Sequence, residues 1–435
     1  MKKVYTAILL VVVFVSSVFS QTWTIQNSNT TQNLWSVWFL SNNIGIACGT
    51  GGVILKTTNG GTNWISKTSG TTNDLMNLQF LNSNTGMCFG FRGPVLKTTN
   101  AGETWGVMAF GSIPATNILG GGWFLDANNA VIGYAKSSYN QSRILKTTNG
   151  GTSWDTVFTP SPSVQGWISY MHFSDSQNGY ATVAYDTVYK TTNGGLNWSV
   201  INLGGTANLW TSGVWFFNSQ TGFIGGGVYP SNSGELFKTT NGGANWQLLT
   251  NLYAIAKIQF IDNTYGYSLA SNNSVGNGRL INTTNGGNNW IVVNNASDSL
   301  NGMHFLSTSL GYAVGVRGRI LRYGFPIGIS TISTVIPEKY SLSQNYPNPF
   351  NPTTKIKFSI VSSPRGLGGD LVQLKIYDVT GREVQTLVNE SLKPGTYEAT
   401  FDARRGGSAS LNSGVYFYKL MTDGFAETKK LILLK

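Results

Sequence analysis

Both histidines of this chain, His172 and His304, stand directly before a phenylalanine. Five other residues hold the same place ahead of a Phe at comparable spacing: Trp38, Gln79, Trp123, Trp215 and Gln259. Set at one height around an axis, these seven side chains would form a ring. Indole would supply contact area, and carboxamide or imidazole would supply direction. That combination suits stacking on a pyranose or holding a protein loop. The plainer role for the same positions is packing between repeats.

Bond-making chemistry finds little support. The sequence has no Gly-x-Ser-x-Gly elbow, P-loop, His-Glu-x-x-His pair or dinucleotide fingerprint. A glycosidase needs two carboxylates about 5–10 Å apart across a cleft. Residues 21–325 hold nine acids, and Asp126, Asp175 and Asp262 among them fall in turns just after a repeat Phe. Surface turns account for them. Two Cys and two His cannot furnish a zinc cage or a disulfide framework. We therefore expect no catalytic residue, no metal, no cofactor and no enzymatic activity. Two competing expectations are a carbohydrate-active enzyme, marked by an acid pair on one set of loops, and a structural or adhesive surface protein.

The elements that must position such a ring follow from composition. Of 435 residues, 11% are charged and 12% aromatic, with 53 Gly and 13 Trp; an average soluble domain is about 25% charged. So aromatic a chain can offset its ordering entropy, which excludes disorder. Scarce Glu, Lys and Ala exclude long helices, leaving short strands joined by tight turns. The net charge of +11 is thinly spread. Between residues 21 and 325, fourteen basic against nine acidic residues leave +5, and Lys56, Lys97, Lys146, Lys190 and Lys238 recur at one repeat position. Nucleic-acid binding would need a dense basic stripe. None is present.

The first 20 residues combine Lys2 and Lys3 with an apolar run over 7–15 and Val18-Phe19-Ser20 before Gln21. This is the pattern of a secretory signal peptide. Its apolar core is shorter than the ~20 residues a membrane helix needs, and no later stretch could span. The mature chain is expected to be exported, without a transmembrane segment. Cys48 lies three residues after Gly45 and Cys88 two after Gly86, which puts them on opposite faces of matching strands. Two buried free thiols are expected.

A repeat organises residues 21–323. Lys-Thr-Thr-Asn-Gly-Gly-x-Asn-Trp ends at Trp64, with close copies ending at Trp105, Trp154, Trp198, Trp246 and Trp290. Before each comes a Phe, a polar turn and a Gly-led apolar run, as in Phe39…Gly45, Phe80…Gly86, Phe173…Gly179, Phe216…Gly222, Phe260…Gly266 and Phe305…Gly311; Phe124…Gly133 is a looser copy. A period in the forties with several strands per unit signals propeller blades. The last copy lacks its Trp strand, and Thr22-Trp23-Thr24-Ile25 supplies an unattached one. Donating it would close seven four-stranded sheets and leave only short edges. In the turn, Asn59 can bond its own backbone two residues on while Gly takes positive φ.

This turn resembles the Asp-box of sialidase-type propellers, with Asn in the Asp place, and its role there is structural. The seven units together resemble the photosystem II assembly/stability factor-like propellers. The resemblance implies a fold and leaves function open, because one propeller scaffold hosts unrelated roles.

After a linker at 324–338, residues 339–435 read as a second unit. Period-2 strands are expected at 355–360, 372–377, 396–401, 414–420 and 427–434, enough for a small immunoglobulin-like sandwich. The blocks Asn345-Tyr346-Pro347-Asn348-Pro349-Phe350-Asn351-Pro352, Ile376-Tyr377-Asp378-Val379-Thr380-Gly381, Gly414-Val415-Tyr416-Phe417-Tyr418 and Lys429-Lys430-Leu431 resemble the C-terminal sorting domain of type IX secretion substrates. A loop at 362–370 departs from that pattern. The resemblance implies passage to the cell surface or medium through the type IX machinery. The chain is thus expected to be an all-β, exported, non-catalytic binding or scaffold propeller whose ligand is an unidentified protein or glycan.

Overall fold

Phe39 and Gly45 show how one blade is made. They face each other across the first two strands of a sheet, and a Cβ on Gly45 would lie 2.4 Å from the Phe39 ring. The ring lies flat where only a glycine leaves room. The same pairing joins Phe80 to Gly86, Phe173 to Gly179, Phe216 to Gly222, Phe260 to Gly266 and Phe305 to Gly311. In the looser copy Phe124 faces Ala130, not Gly133. Gly133 instead makes room for Ile168, which lies just ahead of the next sheet's first strand.

The computed structural model describes residues 22–90, 95–108, 118–135, 142–161, 168–183, 186–205, 208–228, 233–250, 253–272, 277–295, 298–324, 329–361, 370–403 and 411–434. The expected signal peptide and nearly all of the 362–370 loop lie outside them.

Seven four-stranded antiparallel sheets follow in chain order. Their first strands are Leu34–Phe39, Leu75–Phe80, Ile118–Phe124, Tyr170–Phe173, Leu209–Phe216, Ala254–Phe260 and Leu300–Ser307, and we number the blades 1 to 7 accordingly. Blade 7 takes its outer strand from the start of the chain, where Thr22–Gln26 pairs with Ile320–Gly324. Trp23 then meets Phe305 edge-on at 6.0 Å, as Trp64 meets Phe39 at 5.9 Å. The donated strand thus replaces both the ladder and the tryptophan that the last repeat lacks.

The Asn-Gly-Gly turn is closed by side chains. Thr57 Oγ1 donates to Asn59 Oδ1 and accepts from Gly61 N–H, and Asn63 N–H donates to Asn59 Oδ1. The amide four residues on is bound, not the one expected two residues on. Gly60 and Gly61 take φ of 67° and 89°, which a side chain would resist.

Blades grip one another through repeated contacts. Tyr180, Tyr267 and Tyr312 stack on the Phe of the following blade at 3.5–3.6 Å. Lys97, Lys146, Lys190 and Lys238 donate to the first turn carbonyl of the following blade. Lys56 instead pairs with Glu103 at 2.6 Å. These recurrent cations are blade fasteners, which explains their even spread. Cys48 and Cys88 are free, buried and in one core cluster. Neighbouring blades pack face to back, so the offset that separates the thiols by face brings them together across the blade 1–2 seam.

After the propeller, two four-stranded sheets enclose a core that includes Phe350, Phe358, Phe401, Tyr418 and Leu431. The stretch read as linker contains a strand, Ile329–Ser333, paired with Gly395–Asp402. A register shift between Thr331 and Ser333 breaks its alternation, so a period-2 reading passes over it. The strand Glu383–Leu392 was missed for the same reason: its partner Asp370–Tyr377 shifts register twice. The architecture is all-β, a seven-bladed propeller followed by an immunoglobulin-like sandwich.

Candidate functional site

The first strand of each blade is the innermost: it pairs only with the second strand, and it packs beside the first strands of the neighbouring blades. A cavity of about 210 Å³ is lined by first-strand residues from all seven blades, so it lies on the propeller axis. Six of the seven expected ring residues line it: Trp38, Trp123, His172, Trp215, Gln259 and His304. Gln79 does not. It is 6% exposed, and its Oε1 accepts the Phe124 amide at 2.6 Å.

The polar members of the ring share one task. Gln259 Oε1 accepts from the Phe305 amide at 2.8 Å, and its Nε2 donates to the Phe305 carbonyl at 2.9 Å. His172 Nδ1 accepts from the Phe216 amide at 3.4 Å, and His304 Nδ1 from the Phe39 amide at 3.3 Å. Each therefore satisfies an inner-edge amide of the following blade, a group that would otherwise stay unpaired when buried. Imidazoles accepting at Nδ1 carry their proton on Nε2. Burial pushes His172 down to about 3 and His304 to about 4. Both stay neutral near pH 7 and are poorly matched to proton transfer there.

The aromatic members remain as surface. Trp38 packs on His304 at 4.6 Å between ring centroids, and His172 sits between Trp123 at 5.1 Å and Trp215 at 4.6 Å. Two arcs of π-surface result, each keyed by an imidazole fixed to backbone.

Sequence reasoning missed the layer beneath. Two residues earlier on each first strand stand Ser36, Asn77, Gly121, Tyr170, Gly213, Lys257 and Gly302, and by strand periodicity they share the inward direction of the ring above. Ser36, Asn77, Tyr170, Lys257 and Gly302 line the cavity. A Cβ on Gly302 would lie 2.6 Å from the Trp35 carbonyl oxygen, so glycine here permits close approach of blades. Lys257 Nζ lies 3.8 Å from the Tyr170 ring centroid, a cation–π contact. Desolvation pulls Lys257 down to about 7 and pushes Tyr170 up to about 12. Lys257 is enclosed by protein yet keeps accessible surface, because that surface faces the cavity. The signal that could have found it is the same period of two, applied one step further.

Among the described residues no carboxylate lines this cavity. Asp126, Asp175 and Asp262 each accept two backbone amides of their own turn; the Thr264 hydroxyl foremost for Asp262, and these amides for all three, hold the carboxyls below the usual range. Among the described residues no group of His, Cys, Asp and Glu could hold a metal ion, and no helix is long and apolar enough to cross a membrane.

In the sandwich, the segment 345–352 is sewn to the last strand, Phe425–Leu433. Phe350 N–H donates to the Ile432 carbonyl and Leu434 N–H to the Phe350 carbonyl, both at 2.9 Å. Asn348 Oδ1 accepts the Ile432 amide, and Asn345 Nδ2 donates to the Pro347 carbonyl and to Thr354 Oγ1. The Tyr418 hydroxyl accepts from the Asn345 amide and donates to the Ser343 carbonyl. First, third and last signature blocks therefore meet in space. Tyr346 projects from this seam, 77% exposed.

Comparison with known proteins agrees with both halves. Residues 15–160 match the family model of photosynthesis system II assembly factor YCF48, and residues 344–434 match that of the secretion system C-terminal sorting domain. The structure of YCF48 bound to D1 peptide is similar over 70% of this chain and 97% of that one, with TM-score 0.55 and 17% identity. YCF48 from Cyanidioschyzon merolae is similar over 69% and 98%, with TM-score 0.54 and 18% identity. Virginiamycin B lyase from Staphylococcus aureus is similar over 71% and 100%, with TM-score 0.56 and 10% identity. At these identities the likeness is one of fold. No curated protein matches the chain. Both resemblances read from the sequence stand, and the tail carries the sorting domain of the type IX route.

Proposed function

We propose that this chain is a non-catalytic binding or scaffold propeller, carried to the cell surface or medium by its sorting domain, with its ligand taken on the axis. The observation that carries this reading is the cavity itself: three tryptophans around the axis, two imidazoles held neutral, and no carboxylate in the lining. Aromatic surface with fixed polar groups suits recognition. A glycosidic reaction would need an acid pair that this lining lacks. The partners are then the type IX machinery, through residues 339–435, and a protein loop or glycan at the ring.

The test is a glycan array and a surface-protein pull-down with the full chain, repeated with the Trp38→Leu, Trp215→Leu double variant. Any ligand retained by the wild type should bind the variant at least tenfold more weakly, with the denaturation transition still cooperative. Unchanged binding would remove the ring from the site. Hydrolysis of a retained glycan would instead favour the carbohydrate-active reading.

A further inference from the structure

Lys257 is the one charged side chain among the described residues that line the axial cavity. Its ammonium rests on the face of Tyr170, 3.8 Å from the centroid. The other titratable groups around it are Tyr170 and His172 of blade 4, His304 of blade 7 and the Cys48 thiol of blade 1. Tyr170 and both histidines are held neutral by burial. An ammonium enclosed by protein without a counter-charge is costly, and the cost falls when an anion arrives.

We propose that the axial cavity binds a small carboxylate, with Lys257 taking the anion and the Trp ring above covering its organic body. This deepens the reading of the axis as the binding site and rests on it.

Three features choose the class. The volume of about 210 Å³ lies below the ~300–1,000 Å³ typical of drug-sized pockets, so the ligand is small. One ammonium matches a monoanion. Among the described residues the lining has no guanidinium fork and no nest of turn amides, the groups that recognise a phosphate. Ser36 and Asn77 place neutral polar groups at the height of Lys257, while Trp38, Trp123 and Trp215 form an apolar wall one layer above. A carboxylate at the lower layer with a ring or short chain above it satisfies both layers.

The geometry also explains why the site is open at this level. Gly213 and Gly302 stand in the lower layer where a side chain would meet the neighbouring blade. The first strands of blades 1, 2, 3, 5, 6 and 7 carry a register shift just before this layer or within it. Bulges re-aim side chains at functional places in sheets, and here they accompany the one cation that the axis receives.

The experiment uses the purified full chain, titration calorimetry and ligand-observed NMR. The probes are sodium benzoate and sodium glucuronate, with benzamide and glucose as neutral counterparts. Carboxylates should bind and the neutral probes should be at least tenfold weaker. Lys257→Met should lose at least tenfold in carboxylate affinity, and Lys257→Arg should restore most of it. Equal binding of charged and neutral probes, or equal binding by Lys257→Met, overturns the carboxylate assignment. If those equal affinities are lost in the Trp38→Leu, Trp215→Leu variant, the axial site stands and only the ligand class falls. Should no probe bind a chain that unfolds cooperatively, the carboxylate assignment falls. The axial reading then rests on the array and pull-down.

Discussion

The Asn-Gly-Gly turns of the propeller and the 345–352 segment of the sandwich are both loops pinned by asparagine, and they differ in what they are pinned to. Asn59 closes on groups two and four residues away. Asn348 reaches Ile432, 84 residues along the chain. A pin that closes on itself can be copied, and six blades carry it with the same bonds. A pin to the far end of the domain can occur once, and it makes the fold depend on the last strand. The signature of the propeller is thus a local device repeated, whereas the signature of the sandwich is one long-range seam.

The sharpest way to break this comparison is to cut the seam. A chain ending at Thr428 loses Leu431 and Leu433, both fully buried, together with the ladder partners of residues Gly414 to Tyr418 in the strand Gly414–Thr422. Burial of two leucines is worth about 3–6 kcal/mol, much of the ~5–15 kcal/mol that a small domain has in total. The sandwich should lose its cooperative transition. The propeller, closed by Thr22–Gln26 and not by the tail, should keep its own. Calorimetry would show one transition in place of two. In the cell the shortened chain should accumulate in the periplasm, and normal surface levels would contradict the type IX assignment.

A smaller break tests the repeat. Gly311→Val places a Cβ 2.2 Å from the Phe305 ring, which is itself held between Tyr267 at 3.6 Å and Trp23 at 6.0 Å. With no room for the ring to move, the cost should be about 3 kcal/mol. Because blade 7 joins both ends of the array, the loss should appear across the whole propeller transition and leave that of the sandwich unchanged. Ala130→Gly in blade 3, where the structure already accommodates a Cβ, should shift the midpoint far less.

How much of this was legible follows from the same contrast. Blade count, closure by Trp23 and the Phe–Gly pairing were readable because seven copies expose what one copy hides. The place of the ring on the axis was readable for the same reason in six of its seven positions, Gln79 being the exception. Lys257 was not, because its layer is mixed: Gly121, Gly213 and Gly302 recur there, while Ser36, Asn77, Tyr170 and Lys257 differ from them and from one another, so recurrence flags a glycine and not the lysine. The sandwich has no copies, so Ile329–Ser333 and Glu383–Leu392 vanished where a bulge broke alternation. Nor could the meeting of Cys48 and Cys88 be seen within one sheet, since it depends on how two sheets face each other.

The smallest effect asks whether the axial cation is a burden on the fold, as a binding group often is. In the folded chain Lys257 titrates at about 7 because of desolvation; in the unfolded chain its value is about 10.4. Between these values the unfolded state holds the extra proton, so raising pH stabilises the fold through this window. Below about 7 both states are protonated, and the burden is present in full. Lys257→Met keeps the length of the side chain and removes the charge. At pH 6 the variant should be more stable than wild type, because it carries no desolvated charge. The gain should shrink as pH rises past 7 and disappear above about 10.4. Denaturant midpoints of both proteins at pH 6 and pH 9.5 would show it, since every other titrating group is common to the two. A pH-independent difference would mean that Lys257 stays charged throughout, its ammonium fully compensated by Tyr170, and that the axis holds no unsatisfied cation for a ligand to meet.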